Sequence, residues 1–349
     1  MTRLARQKNA IKGLALGDAW GADHEFLPFE TMQTLHDQAW IPQEGQERIR
    51  VTDDTHMSLH VYWALDRITT DLSYESLENF DQLSEESIQS IIDAFTDEFL
   101  EWYSSPLNTF QRSPGNTCME SMNLISRLKE NGMPWRLGEE TNESMGSGTA
   151  MRSPWLGVHP GLPYEAIEPV GSIQSLITHQ HREAHPASAL VALLVRELVD
   201  GTIESHELLP RAHVLMGERG WDGKNHTSNL LSYFERAEEA QRKMEETGER
   251  FLLYDPCSAL GGGWIAPSAV ALAVTIASTY SRPETALRRA ALTGGDSDTI
   301  AAITGALTGA GSSDPSAFDS DFSRMEEPFK SDIEGILDSL DAAADRGAE

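Results

Sequence analysis

Two short runs carry side chains that could hold a hard cation. Gly294-Gly295-Asp296-Ser297-Asp298-Thr299 places two carboxylates and a hydroxyl within four residues, behind paired glycines and ahead of a small-residue apolar run. Thr52-Asp53-Asp54-Thr55 repeats those side-chain types before another helical pattern, far away in sequence. Asp oxygens, helped by Thr hydroxyls or carbonyls, suit magnesium, manganese or calcium, whereas zinc favours His and Cys. Four carboxylates exceed the needs of one divalent ion, so two ions roughly 3.5–4 Å apart, with one Asp bridging, would neutralise them economically. Each run taken singly also fits a plainer role, because Asp, Ser and Thr are the commonest helix N-caps. One helix start needs one cap, however. Asp53 beside Asp54, or Asp296 with Asp298, crowds negative charge that a cation would relieve.

Closely spaced glycines suggest anion binding as a second chemistry. In Ser144-Met145-Gly146-Ser147-Gly148-Thr149 consecutive backbone N–H groups could face a phosphate without side-chain obstruction, and Met151-Arg152 follow directly. Arg152 suits either a phosphate or a salt bridge with an inner carboxylate. Gly261-Gly262-Gly263-Trp264 permits close backbone contact with a ligand at Gly262, or simply makes a flexible turn. Gly115 and Asn116 lie in the turn-rich Arg112-Ser113-Pro114-Gly115-Asn116-Thr117, which also reads as an ordinary helix start. His181 and His185 are one helical turn apart with Glu183 between them, but the spacing matches no zinc motif and no cysteine is near. His56 and His60 share a helix face without a third ligand, as packing residues do.

Taken in order, five motifs resemble those of the ADP-ribosylglycohydrolase family. They are Gly13-Leu14-Ala15-Leu16-Gly17-Asp18-Ala19 with Gly21 and Glu25, Thr52-Asp53-Asp54-Thr55, Gly146-Ser147-Gly148-Thr149-Ala150-Met151-Arg152, Thr178-His179, and Gly294-Gly295-Asp296-Ser297-Asp298-Thr299. The resemblance runs over about residues 11–309. Ser147 departs from the family's usual Asn, and Gly311-Ser312-Ser313-Asp314 replaces its aromatic-glycine sequence.

The resemblance implies hydrolysis of the glycosidic bond between ADP-ribose and a modified protein side chain, releasing ADP-ribose. Arginine-linked substrates come first and serine-linked ones second. It implies a pair of magnesium ions, or alternatively manganese, held by Thr52, Asp53 and Asp54 on one side and by Asp296, Asp298 and Thr299 on the other. Glu25, Asp54 and Asp298 form the expected catalytic set, with Glu25 or a metal-bound carboxylate handling the proton. The expected substrate contacts are Gly115, Asn116, Ser144, Gly146, Ser147, Gly148, Met151, His179 and Gly262. Among these the glycine loops cradle the diphosphate, and His179 touches diphosphate or ribose. The same residues leave open a two-metal phosphohydrolase of a nucleotide-like substrate, or a non-catalytic ADP-ribose-binding protein.

Helices must bring the two acidic runs together. Ile11, Leu14, Ala15 and Ala19 recur at helical spacing, so the first motif lies on a helix whose far end delivers Asp18 and Glu25. Met57, Val61, Ala64, Leu65 and Ile68 mark an amphipathic helix that starts at Asp53 and Asp54, where the helix dipole favours carboxylates. Ile91, Ile92, Phe95, Phe99 and Trp102 form a core stripe. Buried helices are predicted over 187–198, 266–280 and 284–292, and an exposed charged helix over 235–250. An acidic tail from about residue 312 would end in a weak helix around Ile333, Ile336, Leu337 and Leu340. Strand signals are scarce, which predicts an all-α single domain over 1–349 with the acidic runs meeting at one end of its core.

The 349 residues, 40% of them hydrophobic, can bury a sizeable core. A formal net charge of −28 argues against nonspecific binding to nucleic acid or anionic membranes, so an anionic substrate must be held locally. Two cysteines make no disulfide framework. The apolar segment after the basic start is short and broken by Asp18, and the stretch over 264–280 contains Pro267, so neither a signal peptide nor a membrane span is predicted. A cytoplasmic monomer is the expectation.

Overall fold

The computed structural model describes all residues except 38–46, 134, 138–141, 225–229, 247–254, 281 and 347–349. Among the described residues there are sixteen α-helices and no strand, so the predicted all-α class holds. The first eight are α1 (Arg3–Ala22), α2 (Phe29–Asp37), α3 (Asp53–Asp71), α4 (Tyr74–Glu78), α5 (Glu85–Ser104), α6 (Asn116–Glu130), α7 (Pro154–Val158) and α8 (Tyr164–Leu176). The remainder are α9 (Ala184–Asp200), α10 (Leu208–Glu218), α11 (Leu231–Glu246), α12 (Ala266–Thr279), α13 (Pro283–Ala291), α14 (Ser297–Gly311), α15 (Asp319–Phe322) and α16 (Phe329–Arg346). Isolated bridges pair Ile49 with Met325 and Gly146 with Ile265.

The fold is organised on α1 and α14, which run antiparallel with their backbones in direct contact. A Cβ added at Gly13 would lie 2.1 Å from the Gly305 carbonyl oxygen, one at Gly17 2.0 Å from that of Ala301, and one at Gly21 2.3 Å from that of Ser297. Gly309 meets Asn9 in the same way, at 2.2 Å. The four-residue spacing puts Asn9, Gly13, Gly17 and Gly21 on one stripe of α1, and Ser297, Ala301, Gly305 and Gly309 on the facing stripe of α14. No larger side chain fits between them. The pairing sets the C-terminal end of α1 against the start of α14, which carries Asp18 and Glu25 to Asp296 and Asp298.

Around this pair α9 and α12, like α14 itself, are buried on nearly every face, as helices apolar all round must be. The outer helix α5 buries its stripe of Ile91, Ile92, Phe95, Phe99 and Trp102, with Ala94 and Thr96 beside it. The exposed helix predicted over 235–250 begins earlier, as α11, and buries Phe234, Ala237 and Ala240, while residues 247–250 lie outside the described part. Cys118 and Cys257 are buried and form no disulfide. No helix among the described residues is long and apolar enough to cross a membrane.

The segment read as an acidic tail packs on the core. Phe318, Phe322, Met325, Phe329, Ile333 and Leu340 are all buried. An apolar residue every turn or so suffices to seat a helix, and most acidic residues between them, Glu326 excepted, are turned away from the core. This segment also braces the approach to the first acidic run. The Ile49 N–H donates to the Arg324 carbonyl at 2.9 Å, and the Glu326 N–H donates to the Ile49 carbonyl at 3.0 Å. The Glu326 carboxylate accepts from the Val51 N–H at 3.1 Å and from Arg112 at 2.7 Å.

Candidate active site

The start of α3 separates capping from ligand work. Thr52 is the N-cap, its hydroxyl accepting from the Asp54 N–H at 3.3 Å. Asp18, reaching across from α1, accepts from the Thr52 N–H at 3.0 Å and the Thr52 hydroxyl at 2.8 Å. It also accepts from the Thr55 N–H at 3.0 Å and from the Thr55 hydroxyl. Caps are therefore supplied without Asp53 or Asp54. Asp53 accepts one N–H, from Gly115 at 3.3 Å, and Asp54 Oδ2 is buried with no hydrogen-bond partner. A buried carboxylate oxygen in that state is costly unless something positive meets it.

At the start of α14, Asp296 makes no capping bond with its side chain, and Asp298 Oδ1 accepts from the Thr299 N–H at 2.9 Å. Gly295 has a positive φ of 106° and packs on the Gly262 backbone, and the Asp296 N–H donates to the Gly262 carbonyl at 2.8 Å. Carboxylate oxygens of Glu25, Asp296 and Asp298 lie within 4.8 Å of one another. Burial and then the charge of Asp298 push Glu25 up to about 9. The same two causes raise Asp53 and Asp54 well above the carboxylate range. Burial and then Asp296 do so for Asp298. Burial outweighs the bonds with Asp298 and Ser147 at Asp296, and those from Thr55 and Thr52 at Asp18, so each is raised to about 6.

The two runs line one cavity of about 960 Å³, together with Glu25, Gly115, Asn116, Ser147, Gly148, Met151 and Thr299. Five carboxylates share its wall, and no Lys, Arg or His lines it among the described residues. All five offer oxygen donors, and that donor set fits hard divalent cations. Glu25, Asp296 and Asp298, whose carboxylate oxygens lie within 4.8 Å of one another, could hold one such ion.

Other expected contacts stand behind the wall. Ser144, Gly146, His179, Gly262 and Thr52 do not line the cavity. His179 is buried beneath the glycine loop, where a Cβ at Gly146 would come within 2.8 Å of its Nε2. Burial and then the Arg152 charge push His179 down to about 3, so it is neutral. Arg152 is fully buried, does not line the cavity and pairs with neutral groups. It donates to Gln174 at 2.6 Å and Thr178 at 2.8 Å and lies over the Phe99 ring. The Gly146 N–H already donates to the Ser144 hydroxyl at 3.2 Å, and the Ser147 N–H to the Trp264 carbonyl at 3.1 Å. Two amides expected to face an anion are thus used to shape the loop. His60 pairs with Glu98 at 3.1 Å and His56 packs on Phe329, in keeping with packing roles.

Sequence reasoning did not place Phe26, Phe110 and Trp264 at this site, yet all three line the cavity. The available signals were adjacency to Glu25 for Phe26 and to the glycine triplet for Trp264.

No protein of curated function matches the chain. A solved structure described as "ADP-ribosylglycohydrolase-related protein complex" has the same fold at a TM-score of 0.58 and 22% identity, over 97% of each chain. The family profile described as ADP-ribosylglycohydrolase matches residues 1–339, and with motifs and fold in agreement over that length the chain belongs to the ADP-ribosylglycohydrolase family.

Proposed function

We propose that the protein hydrolyses the glycosidic bond between ADP-ribose and a modified protein side chain, arginine-linked foremost, and releases ADP-ribose. The observation that carries this reading is the convergence of Glu25, Asp53, Asp54, Asp296 and Asp298 on one cavity wall beside the Ser147-Gly148 loop. Asp53 and Asp54 would hold one side of a pair of magnesium or manganese ions, with Asp296, Asp298 and Thr299 on the other. When bound, such ions supply orientation of the ribose hydroxyls and acidification of water.

The chain's own residues do the rest. The carboxylate wall favours positive charge developing at the ribose anomeric carbon, as an oxocarbenium-like transition state requires. Glu25, at the cavity margin beside Asp298, accepts or returns the proton. Ser147, Gly148 and Met151, with Gly115 and Asn116 opposite, leave backbone surface on which the diphosphate can lie close. Thr52 and Asp18 hold the α3 start so that Asp53 and Asp54 stay turned to the cavity.

The test is product identification with arginine- and serine-linked ADP-ribosylated peptides, with and without divalent metal. Wild type is expected to release intact ADP-ribose in a metal-dependent way, and Asp298→Asn to lose about 10²–10³ in rate. Unchanged cleavage in Asp298→Asn would remove its proposed role. Release of inorganic phosphate would favour a phosphohydrolase instead.

A further inference from the structure

Three large aromatic residues stand exposed around the mouth of the carboxylate cavity. Phe26 is 68% exposed, Trp264 39% and Phe110 96%. The Phe26 and Trp264 rings are stacked, with centroids 5.3 Å apart and an interplanar angle of 14°. Phe26 holds a φ of 69°, in the left-handed region that bulky residues avoid. Strain of this kind is kept at ligand clamps. Nothing in the core calls for it, since the Phe26 side chain buries little.

We propose that Phe26 and Trp264, with Phe110 on the same mouth, form the leaving-group subsite and select a planar guanidinium-bearing side chain. The assignment rests on the hydrolytic reading above and adds to it the residues that choose the linkage. Two observations and the covalent layout of the substrate point this way. Phe26 directly follows Glu25, so the stacked pair lies beside the carboxylates where the ribose anomeric carbon would be. The adenine of the same substrate lies a diphosphate and a second ribose away from that carbon. The cavity lining carries no Lys, Arg or His among its described residues, so a cationic aglycone meets no cationic side chain there and finds aromatic faces at the mouth. A serine hydroxyl, neutral and small, would gain little from either.

The experiment uses the full-length, metal-loaded protein with ADP-ribosyl-arginine and ADP-ribosyl-serine peptides. Phe26→Ala and Trp264→Ala are expected to raise KM for the arginine-linked substrate by about 2- to 30-fold, the range of a cation–π contact. KM for the serine-linked substrate and affinity for free ADP-ribose should move less than about 2-fold, and Trp264→Phe should restore much of the loss. Both side chains are exposed, so melting temperature serves as a control for folding. An unchanged KM for the arginine-linked substrate in both variants would overturn the proposal. So would an equal loss of affinity for free ADP-ribose, which would place the aromatic pair on the nucleotide. If wild type cleaves neither substrate, the hydrolytic reading fails, and the subsite is judged by calorimetry. Tighter binding of ADP-ribosyl-arginine than of ADP-ribose, lost in Trp264→Ala, supports it, and equal binding of the two ends it.

Discussion

Asp18 shows how one residue can matter at a site without lining it. It is fully buried, and four donors from Thr52 and Thr55 converge on its carboxylate. Asp18→Asn would keep a carbonyl for Thr52 but turn an amide N–H toward donors of Thr55, so the start of α3 must shift. The expected result is a 10- to 100-fold loss of divalent-metal affinity, typical when a group that orients a ligand is removed. Manganese titration followed by calorimetry checks this, and wild-type affinity in the variant would show that Asp53 and Asp54 hold their place unaided. His179 teaches a similar lesson. The Thr178-His179 pair was legible as a motif, but only the packing puts the imidazole under Gly146 rather than in the cavity.

Helix elements were the most legible level. The stripe of Ile11, Leu14 and Ala15, and that of Ile91, Ile92, Phe95, Phe99 and Trp102, became helices with those faces buried. What periodicity could not give is which helices touch. The glycines of α1 hinted at close approach without naming the partner, which is α14, nearly three hundred residues away. An exposed helical Gly→Ala normally stabilises by about 0.5–1 kcal/mol. Gly217 in α10 has open space around its missing Cβ, so Gly217→Ala should follow that rule. At Gly17 a Cβ would lie 2.0 Å from the Ala301 oxygen, so the sign reverses. Gly17→Ala is expected to cost about 3 kcal/mol and to weaken metal binding, because the helix that carries Asp18 and Glu25 must move. Urea unfolding compares the two variants, and equal stability of Gly17→Ala and wild type would refute the contact.

At the scale of the molecule, the carboxylate cluster should govern how stability responds to pH. His24, His56 and His179, pushed by burial down to about 4, 3 and 3, are uncharged when folded, and above about pH 7.5 they are nearly so in the unfolded chain too. They add little slope there. Glu25, raised to about 9, keeps in the folded, cation-free protein a proton that the unfolded chain has already lost over this window, and burial and then neighbouring carboxylates shift Asp53, Asp54 and Asp298 in the same direction. The folded state then binds more protons, so stability falls as pH rises through this window. With a chelator, the melting temperature is expected to drop from pH 7.5 to 9, and the gain on adding magnesium or manganese should widen over the same range. A pH-independent melting temperature in chelator would refute carboxyls raised first by burial and then by one another's charge. We also propose that residues 1–349 melt as one cooperative domain, the packed C-terminal segment included, which a single calorimetric transition checks.

The sequence by itself determined the helical class, the position of several of the long helices and the identity of the oxygen-rich side chains. These depend on local periodicity and on the chemistry of single residues. Tertiary structure alone decided that Thr52 and Asp18 cap α3 and so free Asp53 and Asp54. It also turned Arg152 into the core and brought Phe26 and Trp264 together at the mouth. Each of these depends on a contact between segments distant in the chain. Such contacts follow from which helix faces fit without a clash, and no local pattern encodes that.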